Sequence, residues 1–132
     1  RGRGWDRTNA ALDHIRDCRE AAKGGTFYIE NPVGIISTWW RTPDQIIQPY
    51  LFGDDASKRT CLWLHKLPLL RSTLRIPGRL VTLPDGRKVE RWSNQTDSGQ
   101  NRLGPSPDRA KLRSETYPGI AQAMVDQWGP LL

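Results

Sequence analysis

Phe27-Tyr28-Ile29-Glu30-Asn31-Pro32 reads as a short strand of residues suited to a pleated, half-buried surface, stopped by a proline that cannot donate to a ladder. A helical pattern leads into it: Ala11, Leu12, Ile15, Cys18 and Ala22 recur at three- and four-residue steps from about Thr8 onward. Asp13, Arg16, Asp17, Arg19 and Glu20 fill the opposite face, and Gly24-Gly25 ends the run. A helix handed straight to a strand is the step that builds parallel sheets, so the strand from Thr26 to Glu30 is expected in a partly parallel α/β fold. In such sheets ligands bind in the crevice outside the carboxyl ends of the strands, which makes Glu30 and Asn31 the first candidates for chemistry. A carboxylate beside an amide can hydrogen-bond a heterocycle offering donor and acceptor atoms together, as a nucleobase does. The plainer alternative is a glutamate that caps a helix or pairs with an arginine.

Downstream, Ile35 to Trp40 is expected as a short helix, and Asp44 to Tyr50 as an extended segment that Pro49 confines to an edge. Thr60-Cys61-Leu62-Trp63-Leu64 is the next strand. Asp85-Gly86, between the β-type runs beginning at Arg79 and ending at Trp92, predicts a hairpin closed by a type I′ turn. The polar stretch from Ser93 to Gly104 has the composition of a mobile loop, and Ser106-Pro107 has the form of a helix start. A last helix from Tyr117 to Trp128 places Ile120, Ala121, Met124 and Trp128 on one face, and Gly129-Pro130 ends it.

The 132 residues are one domain's worth of chain, with 1–7 as a basic lead-in and 71–104 as a hairpin and loop insertion. Twenty Lys and Arg against 14 Asp and Glu give a net charge of +6, which attracts polyanions by counterion release. Two cysteines are too few for a disulfide framework, and no apolar run approaches the ~18 residues a membrane span needs, so a cytoplasmic protein without a membrane partner is expected. The chain opens on Arg1 rather than Met, as a trimmed or partial product would.

Six tryptophans stand at positions 5, 39, 40, 63, 92 and 128. Trp63 and Trp128 lie within apolar patterns and belong to a core. Trp39, Trp40 and Trp92 each neighbour a cation, Arg41 or Arg91, and are candidates for stacking on exposed bases, with packing as the competing role. His14 with Cys18 and Cys61 with His65 repeat one spacing. On a helix residues four apart share a face and could both reach one zinc ion. In a strand, the setting of Cys61, that spacing separates side chains by roughly 13 Å, too far for a single metal, so no metal is assigned and a buried thiol with a surface imidazole is expected.

Several ordered motifs carry a family resemblance. They are Ile29-Glu30-Asn31-Pro32, Gln48-Pro49-Tyr50-Leu51-Phe52-Gly53, Lys58 to Leu64 with Leu67-Pro68, Pro105 to Ser114, Thr116-Tyr117-Pro118-Gly119-Ile120-Ala121 and Gln127-Trp128-Gly129. Together they resemble the C-terminal half of phage and mobile-element proteins described as DNA cytosine methyltransferase-like. The resemblance implies a Rossmann-like, methyltransferase-type sheet with flanking helices and a β-hairpin insertion, and S-adenosylmethionine as cofactor. It matches Glu30 to the glutamate that holds the flipped cytosine and Asn31 to the neighbouring asparagine. Pro32 departs from the small aliphatic residue of the better-known enzymes. The family's nucleophile sits in a Pro-Cys motif, whereas Cys18 follows Asp17 and Cys61 follows Thr60. No glycine-rich cofactor turn after an apolar strand is present, so the chain alone is expected to bind no cofactor and to methylate nothing.

The expected function is therefore DNA binding by a methyltransferase-like protein lacking its cofactor and nucleophile half, completed by a preceding segment, a partner chain or self-association. Arg41, Arg79, Arg87, Lys88, Arg91, Trp92, Arg109, Lys111 and Arg113 are the candidate DNA contacts. The hairpin is narrow enough for a major groove, where arginine reads guanine edges. The alternative is a non-catalytic, mobile-element-borne module that binds a partner or assembles with itself.

Overall fold

A computed structural model of the chain describes residues 27–32, 41–103 and 116–132. The expected helices at 8–22 and 35–40 and the one starting at Ser106 lie outside the described residues. Where the length suggests one domain, the contacts group into two compact units that alternate along the sequence. One takes the chain up to Ile47 and Arg59–Leu69; the other takes Gln48–Lys58 and Leu70–Leu131.

The first unit holds a three-stranded sheet in the order β1-β3-β2, with β1 Phe27–Pro32, β2 Gln45–Ile47 and β3 Thr60–His65. β3 is central and buried on both faces: Leu62 and Trp63 point to opposite sides and each is 0% exposed, with Thr60 and Cys61 buried beside them. Complete burial of the Leu62 side chain is worth roughly 2 kcal/mol. Pro32 lies at the end of β1, a flanking strand, where its missing N–H breaks no central ladder. Pairing is antiparallel on both sides of β3. This differs from the parallel neighbours expected from the helix-to-strand step at residue 25. β1 instead takes as its partner the strongest strand-former in the chain.

In the second unit, α1 Pro118–Trp128 buries Ile120, Ala123, Met124 and Trp128, an i, i+3, i+4, i+8 stripe. Ala121, expected on that face, is exposed. Pro118 suits the first helical turn, whose free N–H groups have no intrahelical acceptor. Tyr117 supplies no side-chain cap; the Asp54 carboxylate, brought from a distant loop, accepts from Gly119 N at 2.9 Å instead. Residues 50–53 and 73–76 lie side by side through Thr73 N to Leu51 O (3.0 Å), Gly53 N to Leu74 O (2.8 Å) and Ile76 N to Tyr50 O (2.7 Å). Two side-chain amides bind backbone as a second strand would. Asn94 bonds both N–H and C=O of Ser57 at 2.9 and 2.7 Å, and Gln127 does the same to Arg71 at 2.8 Å each.

β4 Arg79–Thr82 and β5 Lys88–Arg91 form the expected hairpin, with Val81 opposite Val89. Its turn is not type I′, because Gly86 alone within it has a positive φ, +90°. Leu83 N donates to Arg87 O and Gly86 N to Leu83 O, both at 2.8 Å, which is a three-residue loop with glycine in the left-handed position. Pro84 explains the choice: its φ is fixed near −65°. The stretch at 94–102 is no open loop, for the same closure repeats there. Thr96 N donates to Gln100 O at 2.8 Å and Gly99 N to Thr96 O at 2.9 Å, with Gly99 at φ +98°. Arg102 N then returns to Asn94 O at 2.9 Å.

Glu90 clamps the base of this hairpin. Its carboxylate accepts from Arg75 Nη2 at 2.6 Å and from Gly78 N at 2.9 Å, and the Arg75 bond, with the Gly78 bond second, holds its pKa below the ordinary value. A depressed folded-state pKa means the clamp is fully present above the unfolded value and is lost as pH falls through the lower folded one. The Gly78 amide resonance is therefore expected to titrate with a midpoint below about 4.3, the ordinary glutamate value. The Glu90→Gln variant should show no such titration; an unshifted midpoint in the parent protein would remove the clamp.

Candidate nucleic-acid interface

Glu30 and Asn31 lie inside β1 rather than beyond its end, Glu30 opposite Leu62 and Asn31 opposite Cys61. The crevice at the carboxyl end of a parallel strand, which singled them out, is thus not the setting in which their backbone stands. Cys61 on the facing strand is buried, and that burial raises its thiol pKa, only partly offset by the charge of Arg59. A neutral, enclosed thiol is a poor nucleophile.

Arg41 is spent within the first unit. Its guanidinium grips Asp44 through two bonds of 2.9 and 3.1 Å and reaches Leu64 O at 3.3 Å, while Asp44 also accepts from Leu64 N at 2.6 Å. That arginine holds the Asp44 carboxyl below its usual range. The Arg41 carbonyl in turn accepts the Trp63 indole N–H at 2.8 Å. The pair ties the segment leading into β2 to the C-terminal part of β3.

Within the second unit the positive charge is concentrated in one segment. Residues 71–104 hold seven Lys and Arg, at 71, 75, 79, 87, 88, 91 and 102, against three acids at 85, 90 and 97, a surplus of four. Three of the cations have carboxylate partners: Arg75 with Glu90 (2.6 Å), Arg79 with Asp97 (2.9 Å) and Arg87 with Asp85 (2.6 Å). Arg91 bonds neutral carbonyls, those of Asp97, Glu90 and Ser98, at 3.1 to 3.4 Å. Arg87 and Lys88 stand exposed at the hairpin turn.

Trp92 corrects the expectation that it stacks on bases. It is 6% exposed, its indole N–H donates to Ile76 O at 2.8 Å, and its ring lies on that of Tyr50 with centroids 3.8 Å apart and planes 7° from parallel. Arg75 sits 5.5 Å from the Tyr50 ring centre, extending the stack. Arg102, not singled out from sequence, proves to be part of the same charged region; nothing in its polar neighbourhood marks it. Arg109, Lys111 and Arg113 lie outside the described residues, as do Trp39, Trp40, His14 and Cys18.

Among the described residues no group of His, Cys, Asp and Glu could hold a metal ion, and no helix is long and apolar enough to cross a membrane. No described strand runs through a glycine-rich turn into a helix, the arrangement an S-adenosylmethionine loop requires, so no step is assigned to that cofactor. The chain matches no protein-family model, no curated protein and no solved structure.

Proposed function

We propose that this chain binds duplex DNA through the hairpin and loop of residues 71–104. The observation that carries the reading is charge placement: four of the six surplus positive charges fall within this one segment, whose base is pinned by Glu90 and by the Trp92 stack. A two-stranded ribbon with exposed Arg87 and Lys88 at its turn can approach a groove, and released counterions supply the affinity. On this reading the protein descends from DNA cytosine methyltransferase-like proteins, and the β1-β3-β2 sheet is a remnant of their Rossmann-like domain. The ordered motifs around Glu30-Asn31-Pro32 and Thr116 to Ala121 favour that descent, while the antiparallel pairing counts against it. Methyl transfer is assigned to a complementing segment and not to this chain alone.

Equilibrium binding of a labelled duplex between about 50 and about 200 mM salt tests the proposal. The Arg87→Ala/Lys88→Ala double variant is expected to lower the slope of log affinity against log salt by about 2. S-adenosylmethionine is expected to give no heat of binding. Absence of duplex binding, or binding indifferent to salt, would overturn the reading. Self-assembly is the second reading, favoured by Leu80, 74% exposed on β4, and by exposed Leu74 in the same unit. A Leu80→Asp variant that turns a dimer into a monomer in sedimentation would support it.

A further inference from the structure

We infer that Arg79, Arg91 and Arg102 form a binding site for a single phosphate group at the loop of residues 95–99. Their guanidinium groups converge there. Arg79 Nη2 and Arg102 Nε both donate to the Gln95 carbonyl at 2.8 Å, and Arg91 Nε donates to the next carbonyl but one, that of Asp97, at 3.1 Å. Three cations thus surround five residues, and among the described residues Asp97 is the one acid paired with them, through Arg79 at 2.9 Å.

Two properties make this cluster more than surface charge. Neutral carbonyls position Arg91 and Arg102 without cancelling their charge, so the field of the cluster stays positive while its geometry is set in advance. The loop is also shaped to receive Arg91: Gly99 holds φ +98°, and a Cβ there would stand 3.1 Å from the guanidinium carbon of Arg91. The glycine therefore lets the planar group lie against the backbone, leaving its remaining N–H groups for a tetrahedral oxyanion. Asp97 occupies part of the cluster as an internal anion, 74% exposed and replaceable by an incoming phosphate. The ligand chemistry is a phosphate monoanion or dianion, whether free or as one phosphodiester of a nucleic acid backbone.

The identification of that backbone as the source rests on the DNA-binding reading; the anion site itself does not. Inorganic phosphate, followed by amide resonances, is expected to shift residues 95–102, and Asp97→Asn to tighten phosphate binding about threefold by removing the competing carboxylate. Because that variant gains affinity, misfolding cannot mimic the result. Arg102→Gln, checked for an unchanged pattern of resonances elsewhere, should abolish the phosphate shifts and reduce the salt slope of duplex binding by about 1. Phosphate shifts confined to other residues, or an Asp97→Asn affinity equal to the parent's, would overturn the site. Phosphate binding at the cluster without duplex binding would support the site and refute the DNA reading. Salt-dependent duplex binding that Arg102→Gln leaves untouched would do the reverse.

Discussion

Gly119→Ala is expected to destabilise the protein by about 3 kcal/mol, the upper end of what an inserted methyl group costs in a packed interior. A Cβ at this position would overlap the Phe52 carbonyl oxygen and stand 2.7 Å from Asp54 Oδ2. Neither neighbour can yield cheaply. The Phe52 peptide is held by Phe52 N to Pro49 O at 2.9 Å and Gly53 N to Leu74 O at 2.8 Å, and Phe52 itself is buried. Moving the helix start away would break the bond from Gly119 N to Asp54, the cap that α1 lacks from its own N-terminal residue. Urea denaturation measures the effect: with a slope of about 1–3 kcal/mol/M, the midpoint should fall by at least about 1 M. Gly129→Ala is the control, since it sits at a right-handed helical φ of −51° with open space around it and should be neutral or slightly stabilising. Equal midpoints for the two variants would show that the close approach at Gly119 does not matter.

Elements whose cause is local were legible from sequence. The hairpin follows from Pro84-Asp85-Gly86 between two β-type runs, β3 from its apolar run, and α1 from the 3.6-residue stripe starting after Pro118. Their errors are also local in kind. Proline at position 84 converts the expected two-residue turn into a three-residue one, and Ala121 was placed on the wrong side because an alanine fits either face of a helix. Strand partnership was not legible. That β1 pairs with β3, and antiparallel, depends on residues some thirty positions apart, and a strand of six residues does not announce its neighbour.

The candidate site shows the same division. Basic charge in residues 71–104 is a sequence property, but which cations remain uncompensated is a property of pairing. Arg41, Arg75, Arg79 and Arg87 all find carboxylates, whereas Arg91 and Arg102 find carbonyl oxygens. The alternation of cation and tryptophan at Arg91-Trp92 suggested an exposed stacking platform. Burial inverted that reading, since the side chain of Trp92 turns inward to Tyr50 while that of Arg91 lies against Gly99.

That inversion makes Trp92→Ala the most informative substitution in the hairpin. Removing a buried indole costs about 3–5 kcal/mol, and here it also deletes the Tyr50 stack and leaves the Ile76 carbonyl without its donor. The backbone nearby is equally committed: Trp92 N donates to Gln95 Oε1 at 3.1 Å, and the Gly78 backbone packs so close that a Cβ on it would lie 3.1 Å from the indole. The expected result is a melting temperature lower by at least about 6 °C, taking 2–4 °C or more per kcal/mol for a chain of this size. Trp92→Phe keeps a ring against Tyr50 but loses the N–H and part of the buried indole, so its cost should be nearer about 1–3 kcal/mol, with DNA affinity unchanged. A base-stacking tryptophan would behave oppositely. Its removal would leave melting intact and weaken single-stranded DNA binding by about 1–3 kcal/mol, and that pattern would return Trp92 to the interface.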